Sequence, residues 1–249
     1  MIQNLTQTSL KTKSSEPLYQ QVQKSILQCL ADGEWKPGAQ LPTEGQLAER
    51  FGVAVFTIRG GIKELVAANI LIRSQGKGTF VMRHTQQRER HQYSQIFQKD
   101  GSQIFPDREI LSYARTTASG EAATILSGGK GKKPNVIQIK GVLNVDGEPA
   151  STLDVMVPLN MFKGLTSKAI REAKETLYAV YQDVSEINVI RIQERVFGAI
   201  ADKRTANALK IKSSTPVLKI IRIAYTYNDT PVEFRVRYLE ADQYHYRSV

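Results

Sequence analysis

The sequence predicts an α+β protein in two parts, a helical head with a short hairpin and a larger part built on an antiparallel sheet. In the head, apolar residues recur at helical spacing over residues 17–67, and two short apolar runs then flank a glycine-rich turn. Beyond residue 93, long alternating runs are separated by turn residues and short helical stretches. These patterns predict a flexible arm over 1–15, a first domain over 16–82, a linker over 83–92 and a second domain over 93–249.

The composition excludes several classes of protein. Of the 249 residues, 41% are apolar and 23% are charged, which is typical of a chain that forms a packed core. No apolar run reaches the roughly 18 residues of a membrane helix, and the N-terminal stretch lacks the apolar segment of a secretory signal, so we expect a cytoplasmic protein. The single cysteine, Cys29, excludes an internal disulfide framework and is expected to be a small buried side chain. The net charge of +10 favours a polyanionic partner such as nucleic acid.

The first predicted helix is amphipathic and ends near Gly33. Pro17 fits its first turn, where the missing N–H would have no partner in any case. Its apolar residues follow at intervals of four and are Leu18, Val22, Ile26 and Leu30. We therefore expect this helix to cover the core of the head.

Two further helices and a tight turn are predicted over residues 41–67. Thr43 is placed to cap the first of these helices, and Gln46 three residues later completes a capping box. Gly52 supplies the permissive turn residue. The buried face of the second helix is predicted to carry Ile58, Ile62, Leu65 and Val66, and the opposite face Phe56, Arg59, Gly60, Lys63 and Ala67.

A hairpin with a basic, glycine-rich tip follows, with strands near residues 70–72 and 79–81. Two helices and a basic hairpin form a shape that fits DNA, with one helix in the major groove. Arg59 and Lys63 on the exposed helix face suit bases and phosphates, and the hydroxyls of Thr43 and Thr57 suit phosphates. The hairpin adds the candidates Arg73, Gln75, Gly76, Lys77, Gly78 and Thr79.

The polar run over residues 83–98 is typical of an interdomain linker. It contains His84 and His91, which we expect to be solvated, because no cysteine, aspartate or further histidine nearby completes a set of metal ligands. We therefore expect neither a metal site nor a cofactor.

The second part alternates strands and helices. The alternating run over 136–145 and the Asp146-Gly147 turn predict a hairpin into a strand over 149–157. A helix is predicted around 176–181, a strand over 191–197 and a helix over 201–209. Two long strands, over 216–227 and 231–239, are predicted on either side of a turn at Asn228-Asp229.

The motifs of the head resemble the winged helix-turn-helix domain of the GntR regulators. They lie at residues 17–20, 33–38, 41–44, 47–53, 57–59 and 76–81. The second part resembles the UTRA effector domain of HutC-type GntR regulators, whose fold is shared with chorismate lyase. Its matching pieces are 146–149, 157–158, 176–178, 208–209, 216–218, 221–222, 231–233 and 242–244.

The resemblance implies a homodimeric transcription factor, most often a repressor, and not an enzyme. Its partners would be a double-stranded DNA operator and a small, often anionic, effector that changes operator affinity. The resemblance independently places Arg59 at a DNA-contacting position. The chain departs from the family at Gly45, where arginine is common, and at Val55, where a polar or basic residue is usual.

Two further departures concern the second helix of the pair. Phe56 stands where the family usually has threonine or glycine, and its ring suits contact with a thymine methyl group. Gly60 and Gly61 fall inside the helix, where each costs about 1 kcal/mol relative to alanine, so this helix is expected to be softened.

The candidates for effector binding also come from the resemblance. Arginines that often hold the acidic group of the ligand fall here at Gly141 and Leu143, which leaves Lys140 as the nearest cation. Asp154 stands beside a position where the family has glutamate. Three positions match the family, namely Tyr178, Arg222 and Glu233. Tyr178 also fits a core position on a helix, and Arg222 fits the edge of a core equally well.

Three functions stay open at this level. The chain is a regulator retuned to another operator and ligand, a sensor that keeps its dimer without specific DNA binding, or an enzyme related to the lyase. The scattered histidines and the lack of a nucleophile–base pattern argue against the enzyme, and no catalytic residue is assigned.

Overall fold

The structure, a computed structural model, describes residues 15–84, 95–129, 131–173 and 176–247. The chain forms two compact units that meet in sequence between Arg83 and His84. The predicted arm lies outside the described residues except for Ser15, and the predicted linker lies outside them except for Arg83 and His84.

The first unit contains three helices and a hairpin. Its helices are α1 (Leu18–Ala31), α2 (Glu44–Phe51) and α3 (Val55–Ala67), and its strands are β1 (Leu71–Ser74) and β2 (Gly78–Val81). The strands are antiparallel, with Leu71 opposite Val81. The core is formed by the predicted apolar faces, including Val22, Ile26, Leu47, Ile58 and Leu65. The exceptions are Leu18, which is exposed, and Val66, which is only half-buried.

Local signals set the ends of α2. The backbone N–H of Gln46 donates to the Thr43 hydroxyl, and the Gln46 side chain accepts from the Thr43 N–H, so the predicted capping box is confirmed. At the other end, Gly52 adopts a left-handed conformation with a φ of 66°.

Close packing of α1 on α3 explains the glycine pair. A Cβ added to Gly61 would stand 2.8 Å from Val22 Cγ1 and 3.0 Å from the carbonyl oxygen of Tyr19. Gly60 is half-buried, and a Cβ there would stand 3.1 Å from Tyr19 Cβ. The prediction that Gly60 lies on the exposed face is therefore wrong. The glycines bring the two helices together, which offsets their cost in helix propensity.

The second unit is built on a six-stranded antiparallel sheet in the order β4-β5-β6-β9-β8-β7. Its strands are β4 (Asp107–Thr117), β5 (Asn135–Val145), β6 (Glu148–Pro158), β7 (Arg191–Ile200), β8 (Pro216–Tyr225) and β9 (Pro231–Glu240). A second, two-stranded sheet pairs β3 (Ile96–Gln98) with β10 (Tyr244–Tyr246). The helices are α4 (Gly120–Leu126), α5 (Ser167–Glu172), α6 (Leu177–Ser185) and α7 (Lys203–Leu209).

Helices cover both faces of the large sheet. One face carries Leu153 and Val155 of β6, which pack with Tyr178 and Tyr181 of α6. The other face packs against α4 and α7, through clusters that include Ile221, Ile223, Phe234 and Val217. The antiparallel α+β architecture predicted from the alternating runs is confirmed.

Some elements were predicted and others were not. The Asp146-Gly147 turn is confirmed, with φ values of 52° and 83°. Strand β4 was missed because it lies at the sheet edge, where most of its side chains are exposed and do not alternate. Strands β3 and β10 have three residues each, which is too short for an alternating apolar pattern to be recognised in the sequence.

Candidate functional site

A cleft in the first unit lies between the start of α2 and the hairpin and has a volume of about 790 Å³. Glu44, the first residue of α2, organises its charges. Its carboxylate accepts a hydrogen bond from Arg59 Nε at 2.6 Å and from Arg73 Nη2 at 2.9 Å. One carboxylate thus orients an arginine of α3 and an arginine of β1. The group keeps a net positive charge, and both arginine side chains remain substantially exposed.

The cleft brings together most of the residues proposed for DNA binding from the sequence. Those that line it are Thr43, Arg59, Arg73, Gln75, Gly76, Gly78 and Thr79. The others lie outside its lining and are Phe56, Thr57, Lys63 and Lys77; Thr57 is half-buried and the remaining three are exposed. Sequence reasoning missed Glu44, although an acidic residue that follows a helix cap is itself a recognisable pattern.

Contacts within the hairpin explain one of its glycines. The side-chain amide of Gln40 donates to the carbonyl oxygen of Lys77 at 2.7 Å. A Cβ on Gly78 would stand 2.7 Å from the same Gln40 nitrogen, and the φ of Gly78 is 111°. Position 78 therefore requires glycine for the fold of the tip, whatever the tip contacts.

A buried arginine of α2 joins that helix to the segment that follows α1. Arg50 of α2 donates from Nη2 to Glu34 Oε2 at 2.8 Å and lies 5.5 Å from the ring centre of Trp35. The hydrogen bond from Arg50 lowers the pKa of Glu34. Burial, with the nearby Glu34 charge, raises the pKa of the Cys29 thiol to about 11. Cys29 is half-buried, as a protonated thiol beside this pair.

The second unit holds a buried cluster of charges on the face of the sheet that packs against α6. Glu233 of β9 is fully buried. Its carboxylate accepts hydrogen bonds from the hydroxyls of Tyr181 at 2.8 Å and Tyr178 at 3.3 Å, and from Arg235 Nη2 at 2.8 Å. Burial and the Glu233 charge raise the pKa of both tyrosines, so they act as neutral donors.

A second carboxylate completes this cluster. Glu194 of β7 accepts hydrogen bonds from Arg222 Nε at 2.7 Å, from Arg237 Nη2 at 3.3 Å and from the Tyr246 hydroxyl at 2.5 Å. Burial acts to raise the pKa of Glu194, but the charges of Arg222 and Arg237 outweigh it and the pKa is lowered. Glu194 is therefore ionised near neutral pH.

The cluster carries more positive than negative charge. Its three guanidinium groups (Arg222, Arg235 and Arg237) face two carboxylates. Burial, followed by the charge of Arg222, lowers the pKa of Arg237 to about 10, so all three stay protonated at neutral pH. The Nε atoms of Arg235 and Arg237 are buried and make no hydrogen bond within the described part of the chain. The excess positive charge favours an anion as the counter-charge.

The structure separates the five effector candidates into two groups. Tyr178, Arg222 and Glu233 meet in the cluster. Lys140 and Asp154 lie directly opposite each other on β5 and β6, with 3.8 Å between Lys140 Nζ and Asp154 Oδ2. Their strand neighbours Ile139, Leu153 and Val155 face α6, so Lys140 and Asp154 point to the other side of the sheet. The two residues do not belong to the same site as the cluster.

His84 departs from the sequence-based expectation. It is buried, not solvated, and its backbone N–H donates to the Gln182 side chain at 3.1 Å. Its ring lies edge-on to that of Tyr178, with 5.8 Å between ring centres. A polar run contains no signal for such a contact, because Tyr178 and Gln182 are distant in sequence. His91 lies outside the described residues.

Sequence reasoning also missed members of the cluster, namely Tyr181, Glu194, Arg235, Arg237 and Tyr246. A usable signal exists on β9, because Glu233, Arg235 and Arg237 follow at a period of two and must share one face of a strand. Glu194 of β7 and Tyr246 of β10 have no comparable pattern in the sequence that links them to the cluster.

The described residues contain neither a cluster of metal-binding side chains nor a helix that could span a membrane. Over the ranges that the structure covers, no group of three or more histidine, cysteine, aspartate or glutamate side chains is arranged to hold a metal ion. In the same ranges, no helix has the length and apolar character needed to cross a membrane.

Family comparison agrees with both units. The family described as "Bacterial regulatory proteins, gntR family" matches residues 18–81, and the family described as "UTRA domain" matches residues 103–245, more than half of the chain. The HTH-type transcriptional repressor NagR of Bacillus subtilis is 24% identical over 95% of this chain and 96% of its own length. A protein of Escherichia coli K12 named as a probable fructoselysine utilization operon transcriptional repressor is 27% identical over 92% and 93%.

A solved structure shows the same fold over part of the chain. The ligand-binding domain of a protein described as a GntR-family transcriptional regulator from Bordetella bronchiseptica is 26% identical, with a TM-score of 0.59 over 64% of this chain and 98% of that domain. Both units of the chain thus match parts of one regulator family. The chain belongs to the GntR family of bacterial transcriptional regulators and combines its DNA-binding domain with a UTRA effector domain.

Proposed function

We propose that this protein is a cytoplasmic transcriptional repressor that binds a double-stranded DNA operator as a homodimer and responds to a small anionic effector. The observation that carries operator binding is the group formed by Glu44, Arg59 and Arg73. It fixes two exposed guanidinium groups before DNA arrives, which lowers the entropy lost on binding.

The proposed DNA surface extends from this group along α3 and the hairpin. Arg59 and Lys63 approach base edges and phosphates, because they lie on the exposed face of α3. The hairpin supplies cations and exposed backbone that track the phosphate chain. The full set of proposed contacts is Thr43, Phe56, Thr57, Arg59, Lys63, Arg73, Gln75, Gly76, Lys77, Gly78 and Thr79.

The first experiment selects duplexes from a randomised DNA pool with the full-length protein, then titrates the enriched duplex and a scrambled control at physiological salt. We expect an enriched, roughly palindromic site that binds at least 10³-fold more tightly than the scrambled duplex. Arg59→Ala should lose most of this preference, while Glu64→Gln, an exposed substitution on another side of α3, should keep it. Equal, salt-sensitive binding to every duplex would instead favour a sensor without an operator, which the departures at Gly45 and Val55 make the second candidate.

The proposed effector site is the buried cluster, with contacts from Tyr178, Arg222 and Glu233 together with Arg237. Its excess positive charge is the reason for an anionic effector, because an unbalanced buried charge is costly until a counter-charge arrives. Lys140 and Asp154 are not part of this proposal, since they face the other side of the sheet.

Thermal denaturation tests the effector site. We would compare inorganic phosphate with the uncharged sugar glucose, using the full-length protein. A bound anion at a hundred times its Kd stabilises the folded state by about 2.7 kcal/mol, which shifts the melting temperature by several degrees. Arg237→Met should abolish the shift, and Lys140→Met, a matched loss of a cation on the opposite face, should keep it. A shift that survives in Arg237→Met places the anion elsewhere.

Effector occupancy would reach the DNA-binding domain through His84. The chain leaves the first unit at Arg83, and the next residue packs on Tyr178, which bonds Glu233 in the cluster. A ligand that rearranges Tyr178 changes how the start of the second unit is held. His84→Ala should therefore retain operator binding and lose the release of DNA by inorganic phosphate.

The homodimer is proposed to form along β7, which lies at the edge of the six-stranded sheet. Its side chains of Val196, Phe197 and Ile200 are exposed although they are apolar. An edge strand with exposed apolar side chains favours pairing with a second copy about a two-fold axis. Light scattering should report a dimer for the natural protein and a monomer for Ile200→Lys combined with Phe197→Asp.

A further inference from the structure

Phe56 is the most exposed large apolar side chain in the part of the chain that the structure describes. It is 84% exposed, against 62% for Ile200, which ranks next. The residue lies in the first turn of α3, directly after Val55, which is itself 39% exposed. An aromatic ring so fully in water gains nothing for the fold, because no neighbour in its own domain covers it.

Its position connects the ring to DNA. Phe56 precedes Arg59 by three residues and Lys63 by seven, so the three side chains share one face of α3. Arg59 belongs to the group centred on Glu44, at the proposed DNA surface. In helix-turn-helix proteins, residues at the N-terminal end of the recognition helix are those that contact base edges in the major groove.

The chemistry of the ring then limits what it can contact. Phenylalanine has no hydrogen-bonding group, so it cannot recognise the donors and acceptors of the base edges. The apolar feature in the major groove is the 5-methyl group of thymine. Val55 extends the same apolar surface and provides no polar alternative at the start of the helix.

We propose that Phe56 is a specificity-determining residue that recognises the 5-methyl group of a thymine in each operator half-site. This inference rests on the proposed function, because it requires an operator. Arg59 and Lys63 supply charge beside it, so the domain combines phosphate and base contacts from polar side chains with one apolar contact to a methyl group.

Replacing thymine by uracil in the selected duplex tests the proposal, since the two bases differ only in that methyl group. Burial of one methyl-sized group is worth roughly 0.8 kcal/mol, a factor of about four in affinity. One uracil in a half-site should therefore weaken the natural protein about fourfold, at one thymine position and not at the others.

Two variants separate the methyl contact from other roles. Phe56→Ala should bind the thymine duplex at least about tenfold more weakly, and should bind the thymine and uracil duplexes within a factor of two of each other. Lys63→Ala should weaken binding to both and keep the fourfold ratio. The thermal midpoint of Phe56→Ala should equal that of the natural protein, because the side chain is exposed.

The outcomes are distinguishable. If selection enriches no sequence, operator recognition fails, and the inference fails with it before any uracil is introduced. If an operator is enriched but no uracil position weakens binding, only the methyl contact is overturned. The same conclusion follows if Phe56→Ala keeps the fourfold uracil ratio. A loss of affinity in Phe56→Ala without any uracil effect would assign the ring a contact other than the methyl group and would also overturn the proposal.

Discussion

Gly61 of α3 lies against Val22 of α1 so closely that a Cβ at position 61 would stand 2.8 Å from Val22 Cγ1. Helix α3, which is proposed to enter the major groove of DNA, is therefore positioned by its close packing on α1. A side chain at position 61 would move α1 away from α3. The apolar core of the domain would then be disrupted, because α1 contributes to it.

Gly61→Ala should destabilise the DNA-binding domain by about 1–3 kcal/mol, because overpacking outweighs the gain in helix propensity. The measurement is urea unfolding followed by the fluorescence of Trp35, the single tryptophan, which lies in this domain. Gly45→Ala is the matched control, since a Cβ there meets nothing within 4 Å and should stabilise α2 by up to about 1 kcal/mol. Equal stability of the two variants would contradict the packing argument.

Glu44→Gln should reduce the preference for operator over scrambled DNA by about tenfold while strengthening binding to scrambled DNA at low salt. The variant frees Arg59 and Arg73 from a shared carboxylate and removes a negative charge beside the phosphates. Filter binding or fluorescence anisotropy at several salt concentrations measures both quantities. Glu49→Gln makes the same change of charge at an exposed position of α2, and it should leave the preference intact. If both variants behave alike, net charge alone explains the effect.

Glu34→Gln should lower the free energy of unfolding at pH 7 by about 1–2 kcal/mol, because Arg50 is buried and loses its charged partner. The pKa of Glu34 is lowered in the folded state. Its contribution is therefore complete above the unfolded pKa of about 4.3 and is lost as pH falls through the folded value. The natural protein and the variant should converge only when the pH falls below the folded-state pKa of Glu34. An undiminished difference in acid would show that packing, not charge, sets the cost.

Cys29 should react slowly with iodoacetamide. With a pKa of about 11, its thiolate fraction at pH 8 is about 0.1%, against about a quarter for an ordinary cysteine. We expect alkylation at least tenfold slower in the folded protein than in guanidinium chloride, with a rate that rises about tenfold per pH unit up to pH 10. Mass spectrometry after timed quenching measures both rates. A folded-state rate that is flat above pH 8 would contradict the raised pKa.

Much of the head could be predicted from sequence because its signals are local. The capping box of Thr43 and Gln46 and the turn at Gly52 lie within a few residues of the structure they specify. The glycine pair could not be explained in this way. Helix propensity assigns Gly60 and Gly61 only a cost. The position of α1 shows that the two glycines allow α1 and α3 to pack closely.

The same limit applies to both sites. The sequence by itself determined the three helices and the hairpin of the head and the long alternating strands of the second unit, because periodicity and turn residues act over a few positions. It also determined that Arg59 is exposed on α3 and that Glu233 lies on a strand. The tertiary structure alone decided that Glu44 joins Arg59 to Arg73, and that Glu194 of β7 meets Arg222 and Arg237. The physical reason is that strand order and helix packing bring together side chains that are remote in sequence, and no local pattern records which remote segments become neighbours.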